Sequence, residues 1–262
     1  SFDLRYPCST TDLNFKNLEK ANFSELFNKC SGYSDYLRED IERFSNTNKQ
    51  GIIIGGCGRS GTTLLNSVIG SHPEVYAIEE ETYAFTPTPR LNRASNAISD
   101  IKENFWAEKT PKNVQAFSFL SQFNFLKLVH VVRDCRDVIL SHHPNHKQQY
   151  WVEIERWNED VQTGLNHEDS CFTIRYEDLV LKTERTLKEL CEFLGLRFDR
   201  AMLQYQQHTN LKENVAWDQP ALPLHAKSVG KWKTTEDKDR INKVYRNNLS
   251  VNLLKKLNYL NV

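Results

Sequence analysis

Several absences exclude whole classes of function. The chain has no net charge, because 34 basic residues balance 34 acidic ones, so any site for an anion must be a local cluster. No apolar run reaches the length of a membrane span. None of the six cysteines forms a C-x-x-C pair, the spacing typical of zinc sites, so we expect no metal. With 39% hydrophobic residues among 262, the chain can form one α/β domain with a sizeable core.

Disulfide and targeting signals are also scarce. Cys171 and Cys191 lie in apolar patterns and are expected to be buried thiols, and Cys57 and Cys135 fall inside two candidate anion-binding loops. Cys8 and Cys30 remain as the pair available for a disulfide in an oxidising compartment. No signal peptide is recognisable. The sequence begins at Ser1 rather than Met, so removal of a preceding anchor stays open.

The most informative absence is that of one lysine. Residues 51–65, GIIIGGCGRSGTTLL, combine a β-branched run, a glycine-rich turn and the start of a helix, an arrangement that surrounds phosphate with backbone N–H groups. Loops that bind ATP or GTP continue with Gly-Lys, whereas here Thr62 occupies the lysine position. The cation of this loop is Arg59, whose guanidinium can fork onto a charged oxygen group. A plain tight turn between a strand and a helix is the alternative.

The combination GRSGTTLL resembles the loop with which sulfotransferases hold the 5′-phosphosulfate of PAPS (3′-phosphoadenosine 5′-phosphosulfate). Further segments resemble that family in its own order, namely HPEVYAIEE, EKTP, VVRDCRDVILS with RYEDLV, and GKW. The resemblance implies PAPS as the cofactor and PAP as its product. It also implies a donor site formed by Arg59, Ser60, Gly61, Thr62 and Thr63.

Three consecutive carboxylates follow a short predicted strand at residues 75–78. The end of a strand beside a phosphate loop is where an α/β sheet places its active site, and packed like charges raise the pKa of a carboxyl, which suits a general base. Matching the HPEV segment to the tyrosylprotein sulfotransferases implies that the catalytic base is Glu80 rather than Glu79. We expect Glu81 to lie in solvent at the start of a helix.

The EKTP segment supplies the second predicted catalytic residue. From the residues alone, Lys109 could be a surface lysine at the entry to a helix. In the sulfotransferases that this segment resembles, the lysine reaches the oxygens around the transferred group. The resemblance therefore implies that Lys109, together with Arg59, stabilises charge on the leaving group.

A second anion site is predicted where the buried strand at residues 126–132 ends. Arg133 leaves that strand, and Ser141 is expected to return to the same side on a helix over residues 137–143. The resemblance implies that Arg133 and Ser141 bind the 3′-phosphate of the nucleotide. Asp134 could instead be the magnesium ligand of a kinase, but we expect it to form ion pairs and a helix cap with its neighbours.

Two predicted nucleotide contacts lie further along the chain. The resemblance of RYEDLV implies that Tyr176 contacts the adenosine, although Tyr176 could equally be a core ring. The irregular segment 210–235 has the composition of a lid, and its GKW sequence implies that Lys231 binds phosphate, with a surface lysine as the alternative. Residues 149–167 are predicted to form an amphipathic helix with Trp151 facing the core.

The predicted fold is α/β, a parallel sheet flanked by helices in the P-loop-like sulfotransferase fold, with an N-terminal helical extension over residues 1–50 and the domain over residues 51–262. The resemblance implies transfer of a sulfuryl group from PAPS to a hydroxyl, that of a peptide tyrosine, a sugar or a small molecule. We expect no nucleic-acid partner, a possible homodimer, and a location in the Golgi lumen or the cytoplasm. A P-loop kinase and a non-catalytic nucleotide-binding module are the other classes.

The acceptor is the open part of this resemblance. The tyrosylprotein sulfotransferases use an arginine two residues beyond the base to read acidic peptides, and the corresponding position here is Thr82. Their cysteines near the base and near the lysine are Ala77 and Ala107 here, so that disulfide cannot form. Arg90 and Arg93 could supply positive charge instead.

Overall fold

The computed structural model describes residues 48–86, 91–143, 146–211 and 223–260, and the single positions 38, 41, 42 and 44. The chain divides into two compact units, residues 1–49 and 50–262. In the first unit, Ile41 and Phe44 are buried. Cys8, Cys30 and most of the predicted helical extension over residues 1–50 lie outside the described residues.

The second unit is organised around a parallel sheet of five strands. The order is β2-β3-β1-β4-β7, and every neighbouring pair is parallel. A separate antiparallel pair is formed by β5 and β6. The strands are β1 Gln50–Gly56, β2 Val75–Ala77, β3 Phe105–Lys109, β4 Leu126–Val132, β5 His142–His143, β6 His146–Tyr150 and β7 Cys171–Arg175.

Helices cover the sheet and connect its strands. Short 3₁₀ turns at Pro111–Ala116, Arg200–Gln204, Ala226–Ser228 and Lys231–Lys233 complete the described elements. The α-helices of this unit among the described residues are α1 Thr62–Ile69, α2 Leu91–Ile98, α3 Phe117–Leu120, α4 Cys135–Val138, α5 Ile154–Leu165, α6 Tyr176–Leu181, α7 Thr183–Leu194, α8 Tyr205–His208, α9 Lys238–Arg246 and α10 Asn248–Lys256. The predicted α/β class with helices flanking a parallel sheet is confirmed.

The core lies on both faces of the sheet. Successive side chains of a strand point to opposite faces, and Val131 and Val132 of β4 belong to two different buried clusters. The Val131 cluster includes leucines of α1 and α7, and the Val132 cluster includes Trp157 of α5 and leucines of α10. Nearly continuous apolar strands, such as the buried run at 52–54, are typical of a sheet covered on both faces.

The structure differs from the predicted elements in three places. The segment 105–109 is a strand that the sequence analysis did not predict, because it ends in two charged residues, Glu108 and Lys109. The helix predicted over 137–143 ends at Val138, because the backbone of His142 and His143 pairs with β6. The helix predicted over 149–167 begins only at Ile154 for the same reason, and Trp151 is 37% exposed rather than facing the core. No described helix is long and apolar enough to cross a membrane.

Candidate functional site

The loop after β1 forms a cradle that only glycine can shape. At Gly56 the backbone has φ 148°, and a Cβ there would lie 2.3 Å from the carbonyl oxygen of Val131. At Gly61 φ is 97°, and a Cβ would lie 2.6 Å from Cδ2 of Tyr176. Gly61 precedes α1 without a side-chain cap, and the first turn of α1 contains no acidic residue. The N–H groups at the start of this helix are therefore available to an anion.

A buried hydroxyl lies in the same loop. Ser60 is fully buried, and its Oγ has no hydrogen-bond partner among the described residues. Thr62 and Thr63 are also buried at the start of α1. A buried polar atom without a partner is costly. An oxygen-rich ligand in the cradle would remove that cost for Ser60.

Two residues that the sequence did not reveal lie beside this loop. The guanidinium carbon of Arg59, a residue with φ 67°, lies 6.0 Å from the centroid of the Trp151 ring. A Cβ placed on Gly58 would lie 3.4 Å from Nη2 of Arg156 and 3.8 Å from Nε1 of Trp151. Trp151 was predicted to face the core, and the sequence assigned no role to Arg156. Positive charge at this loop therefore comes both from Arg59, within the loop, and from Arg156, beside it.

Arg133 connects the loop to Tyr176, a predicted nucleotide contact, and to the segment just before GKW. It is buried, its Nη1 donates to the carbonyl of Arg59 at 3.1 Å, and its Nη2 donates to the carbonyl of Ser228. Its guanidinium carbon lies 4.6 Å from the centroid of the Tyr176 ring, which is also buried. The Nε of Arg133 is buried with no partner in the described part of the chain. The structure therefore brings Arg59, Arg133 and Tyr176 together.

The GKW segment is attached to the same strand end through Asp137. The carboxylate of Asp137 accepts from the backbone N–H of Gly230 at 2.7 Å and of Trp232 at 3.0 Å. Lys231 lies between these two anchored positions with an exposed side chain. The hydroxyl of Ser141 donates to the carbonyl of Asp137 at 3.2 Å, at the end of the α4 turn rather than on a longer helix.

Asp134 has the structural role that we predicted. Its carboxylate forks onto the guanidinium of Arg136, with distances of 2.9 Å to Nε and 2.7 Å to Nη2, and it caps α4 by accepting from the backbone N–H of Arg136. Arg136 in turn stacks on the ring of Trp232, 3.8 Å from its centroid. These contacts hold Asp134 as an ion pair and a helix cap, which weakens its interpretation as a magnesium ligand.

Glu81, not Glu80, lies against Lys109. Oε1 of Glu81 is 2.6 Å from Nζ of Lys109, and Oε2 accepts from the hydroxyl of Tyr83 at 3.3 Å. Lys109 is buried at the end of β3, with a side chain 2% exposed, whereas that of Glu81 is 35% exposed. Glu79 and Glu80 are exposed and make no hydrogen bond or ion pair with the described residues. The expectation that Glu81 lies in solvent at a helix start is therefore wrong.

A fully buried carboxylate fixes this arrangement. Oε1 of Glu108 accepts from the backbone N–H and the hydroxyl of Thr82, at 3.1 and 2.8 Å, and from the hydroxyl of Thr110 at 2.6 Å. Its Oε2 accepts from Nδ2 of Asn113 at 2.6 Å, and the same nitrogen bonds the carbonyl of Ile54 in β1 at 3.1 Å. Burial raises the pKa of the Glu108 carboxyl, and the hydrogen bonds oppose that shift.

Glu108 therefore ties the segment after β2 to β3 and β1. It immediately precedes Lys109, and its partner Thr82 immediately follows Glu81. Each member of the Glu81–Lys109 pair is thus adjacent to a residue of the Glu108 network. The pattern of the sequence contained no signal for this role beyond a glutamate inside an otherwise buried strand.

A second buried carboxylate, Asp160 on α5, lies next to the loop and makes a pH prediction possible. Burial raises its pKa from 3.8 to about 6, against the opposing charge of Arg156, whose Nε is 3.5 Å away. Between these two values the unfolded chain has lost the proton that the folded chain retains, so the free energy of unfolding falls as the pH rises. A difference of about 2 units corresponds to about 3 kcal/mol.

We expect Asp160→Asn to remove this pH dependence. As the pH rises from 4 to 7, the free energy of unfolding of the variant should increase by up to about 3 kcal/mol relative to that of the original chain. Urea unfolding at a series of pH values measures the difference, with Asp169→Asn, an exposed aspartate, as the control. Parallel stability profiles for the original chain and Asp160→Asn would contradict the burial argument.

Comparison with known proteins finds a family model and related sequences that match this chain. The model of the family described as "Sulfotransferase family" matches residues 51–102 and 94–200, a span of more than half of the chain. Protein-tyrosine sulfotransferase 1 of Danio rerio is 23% identical, over 69% of this chain and 65% of that protein. The chain thus spans slightly less than two thirds of this relative.

Solved structures share the fold. A sulfotransferase domain from the curacin biosynthetic pathway matches with a TM-score of 0.58 and 18% identity, over 81% of this chain and 98% of that domain. The mouse sulfotransferase SULT7A1, solved in complex with PAP, matches with a TM-score of 0.50 and 17% identity, over 79% of this chain and 88% of that one.

Proposed function

Because the chain belongs to the sulfotransferase family, we propose that it transfers the sulfuryl group of PAPS to an acceptor hydroxyl. The observation that carries the proposal is the buried Lys109, paired with Glu81 at the end of the strand next to the one that leads into the anion cradle. β3 and β1 are neighbours, with Ile54 opposite Lys109, so this pair follows the strand next to the loop. A base, a cation and a phosphate site side by side suit group transfer to a hydroxyl.

The residues of the cradle fit a nucleotide that carries a phosphosulfate. Ser60 Oγ and Arg133 Nε are buried polar atoms without partners among the described residues, and the start of α1 has no side-chain cap. Arg59, Ser60, Gly61, Thr62 and Thr63 would hold the phosphosulfate. Arg133, Ser141, Tyr176 and Lys231 would hold the rest of the nucleotide. PAPS, when bound, supplies an activated sulfuryl group and a good leaving group.

We assign the general base to Glu81 in place of Glu80. The carboxylate of Glu81 contacts Lys109 and keeps one face exposed to solvent, whereas Glu80 has no contact that would orient it. Glu81 would accept the proton of the acceptor hydroxyl. Lys109, together with Arg59 and the N–H groups of the loop, would stabilise negative charge on the sulfuryl oxygens and on the leaving phosphate. The assignment to Glu80 stays a prediction, and comparison of Glu81→Gln with Glu80→Gln tests it.

The acceptor class that we propose is a peptide tyrosine. Its support is the resemblance of the HPEV segment and the name of the zebrafish relative. If the base is Glu81, the position two residues further is Tyr83, so neither numbering places an arginine there to read acidic peptides. Thr82 is bound to Glu108 and has no charge to contribute. Recognition of acidic groups would therefore need other cations, and a sugar or small-molecule hydroxyl is the second acceptor class.

A screen with labelled PAPS tests this function. Purified protein is incubated with acidic tyrosine peptides, sugars or simple phenols, and PAP binding is measured by calorimetry. Binding of PAP with transfer to tyrosine peptides supports the proposal, and transfer to sugars alone moves the acceptor to the second class. Stabilisation by Mg-ATP without affinity for PAP would favour a kinase. PAP binding without transfer to any of the three classes would favour a non-catalytic module.

We expect Arg59→Gln to weaken PAP binding by about 10- to 100-fold, because it removes charge-assisted hydrogen bonds worth about 1.5–3 kcal/mol. Isothermal titration with PAP measures the effect. Arg185→Gln is the matched control, since Arg185 is an exposed arginine that pairs with Glu189 on α7. Unchanged affinity in Arg59→Gln would contradict the placement of the phosphosulfate in this loop.

A further inference from the structure

Tyr83 lies against Glu81, the residue that we assign as the general base. Its hydroxyl donates to Oε2 of Glu81 at 3.3 Å, while Nζ of Lys109 binds Oε1 of the same carboxylate at 2.6 Å. One carboxylate thus holds a phenol on one oxygen and the ammonium group on the other. If Glu81 is the base, this is the contact that a phenolic acceptor makes before it loses its proton.

The backbone of Tyr83 is held in this position against a conformational cost. Its φ is 56°, in the left-handed region that bulky residues rarely adopt. Its N–H donates to the hydroxyl of Thr110 at 3.3 Å, and its carbonyl accepts from the hydroxyl of Thr86 at 3.0 Å. The preceding residue is bound to Glu108. Strain that the surrounding contacts maintain is characteristic of functional sites.

The ring of Tyr83 is also accessible. The residue is 36% exposed, and its hydrogen bond to Glu81 is itself solvent-exposed. Nothing in the described part of the chain encloses the hydroxyl in the core. The phenol is therefore accessible without unfolding of the segment. Tyr83 is in addition a peptide tyrosine, the acceptor class proposed above, and it follows three consecutive glutamates with Thr82 between.

We propose that Tyr83 is a self-sulfation site of this chain. The inference rests on the proposed function. The phenolic oxygen of Tyr83 forms a bond to the sulfur of PAPS, and the bond between that sulfur and the bridging oxygen of the 5′-phosphate breaks. The electron pair of that bond leaves with PAP, and the phenolic proton passes to the carboxylate of Glu81. The products are PAP and an O-sulfated Tyr83, and no other reactant is needed.

The test is incubation of the full chain with labelled PAPS and no added acceptor. We expect one sulfate per chain, located on Tyr83 by peptide mapping, at a rate per molecule that does not change over a hundredfold range of protein concentration. Tyr83→Phe should lose the label. Tyr245→Phe should retain it, because Tyr245 is comparably exposed but its hydroxyl bonds Arg136 instead of a carboxylate.

Two results would overturn this inference alone. One is protein that binds PAP and sulfates an added phenol yet leaves Tyr83 unlabelled. The other is labelling whose rate per molecule rises in proportion to protein concentration, since that would mean one molecule modifying another. Absence of both PAP binding and transfer to any acceptor would instead overturn the proposed function, and the inference with it.

Discussion

Replacement of Glu81 by glutamine is expected to lower kcat by about 10²- to 10⁴-fold, the usual contribution of a positioned general base. Glutamine keeps the size of the side chain and can still bond Lys109 through its amide oxygen, but it cannot accept the acceptor's proton. PAP affinity should remain close to that of the original chain, because Glu81 is not among the residues proposed to hold the nucleotide. Steady-state transfer with the best acceptor of the screen gives kcat, and calorimetry gives the affinity.

Glu80→Gln provides the matched control for this experiment. Glu80 is the adjacent residue, has the same charge and is exposed without a contact to the described residues. We expect its kcat to stay within about twofold of the original chain, since surface substitutions away from a site have small effects. The reverse result, a large loss in Glu80→Gln and little change in Glu81→Gln, would return the base to Glu80.

Removal of the Glu108 carboxylate is expected to have the largest effect on stability. Glu108→Ala leaves the N–H of Thr82 and one N–H of the Asn113 amide without an acceptor in the core, and each such group costs about 1–3 kcal/mol. The hydroxyls of Thr82 and Thr110 lose the same partner. The other Asn113 N–H keeps the carbonyl of Ile54. We therefore expect the free energy of unfolding to fall by about 3 kcal/mol or more, as measured by urea unfolding.

The activity of Glu108→Ala should fall together with its stability, because the Glu108 network would no longer hold Thr82 and Lys109 in place. Glu108→Gln separates the two effects, because it keeps the volume and one acceptor oxygen and should restore part of the stability. Glu192→Ala, on the exposed face of α7, controls for the loss of a glutamate as such. A stability of Glu108→Ala equal to that of the control would show that the buried carboxylate contributes nothing to the fold.

The fold class was predictable because its signals are local. Glycines with positive φ at positions 56 and 61 mark the turn between β1 and α1, and this segment also carries the family resemblance. The cap formed by Asp134 was predictable for the same reason, since its partner Arg136 is two residues away. Both the family and the parallel sheet are confirmed by the comparisons and the structure.

The parts that the sequence did not reveal depend on contacts between distant residues. Counting from the HPEV segment favours Glu80, whereas the choice among the three glutamates depends on Thr82, which is held by Glu108, 26 residues later. The β3 strand ends in two charged residues, Glu108 and Lys109. Their burial depends on the hydrogen bonds to Glu108 and on the ion pair between Lys109 and Glu81. Trp151 has the spacing of a helix core, but the strand pairing of β6 delays the start of α5 beyond it.

The side-by-side position of Ala77 and Ala107 has a consequence for handling the protein. They are register partners on β2 and β3, both fully buried, at the positions where the resembling enzymes carry two cysteines. Two methyl groups pack at this junction, so a reductant has no bond to cleave there, and the strands are joined by backbone pairing and by the Glu108 network. Dithiothreitol should therefore leave the pairing of β2 with β3, and the candidate site at the end of these strands, intact.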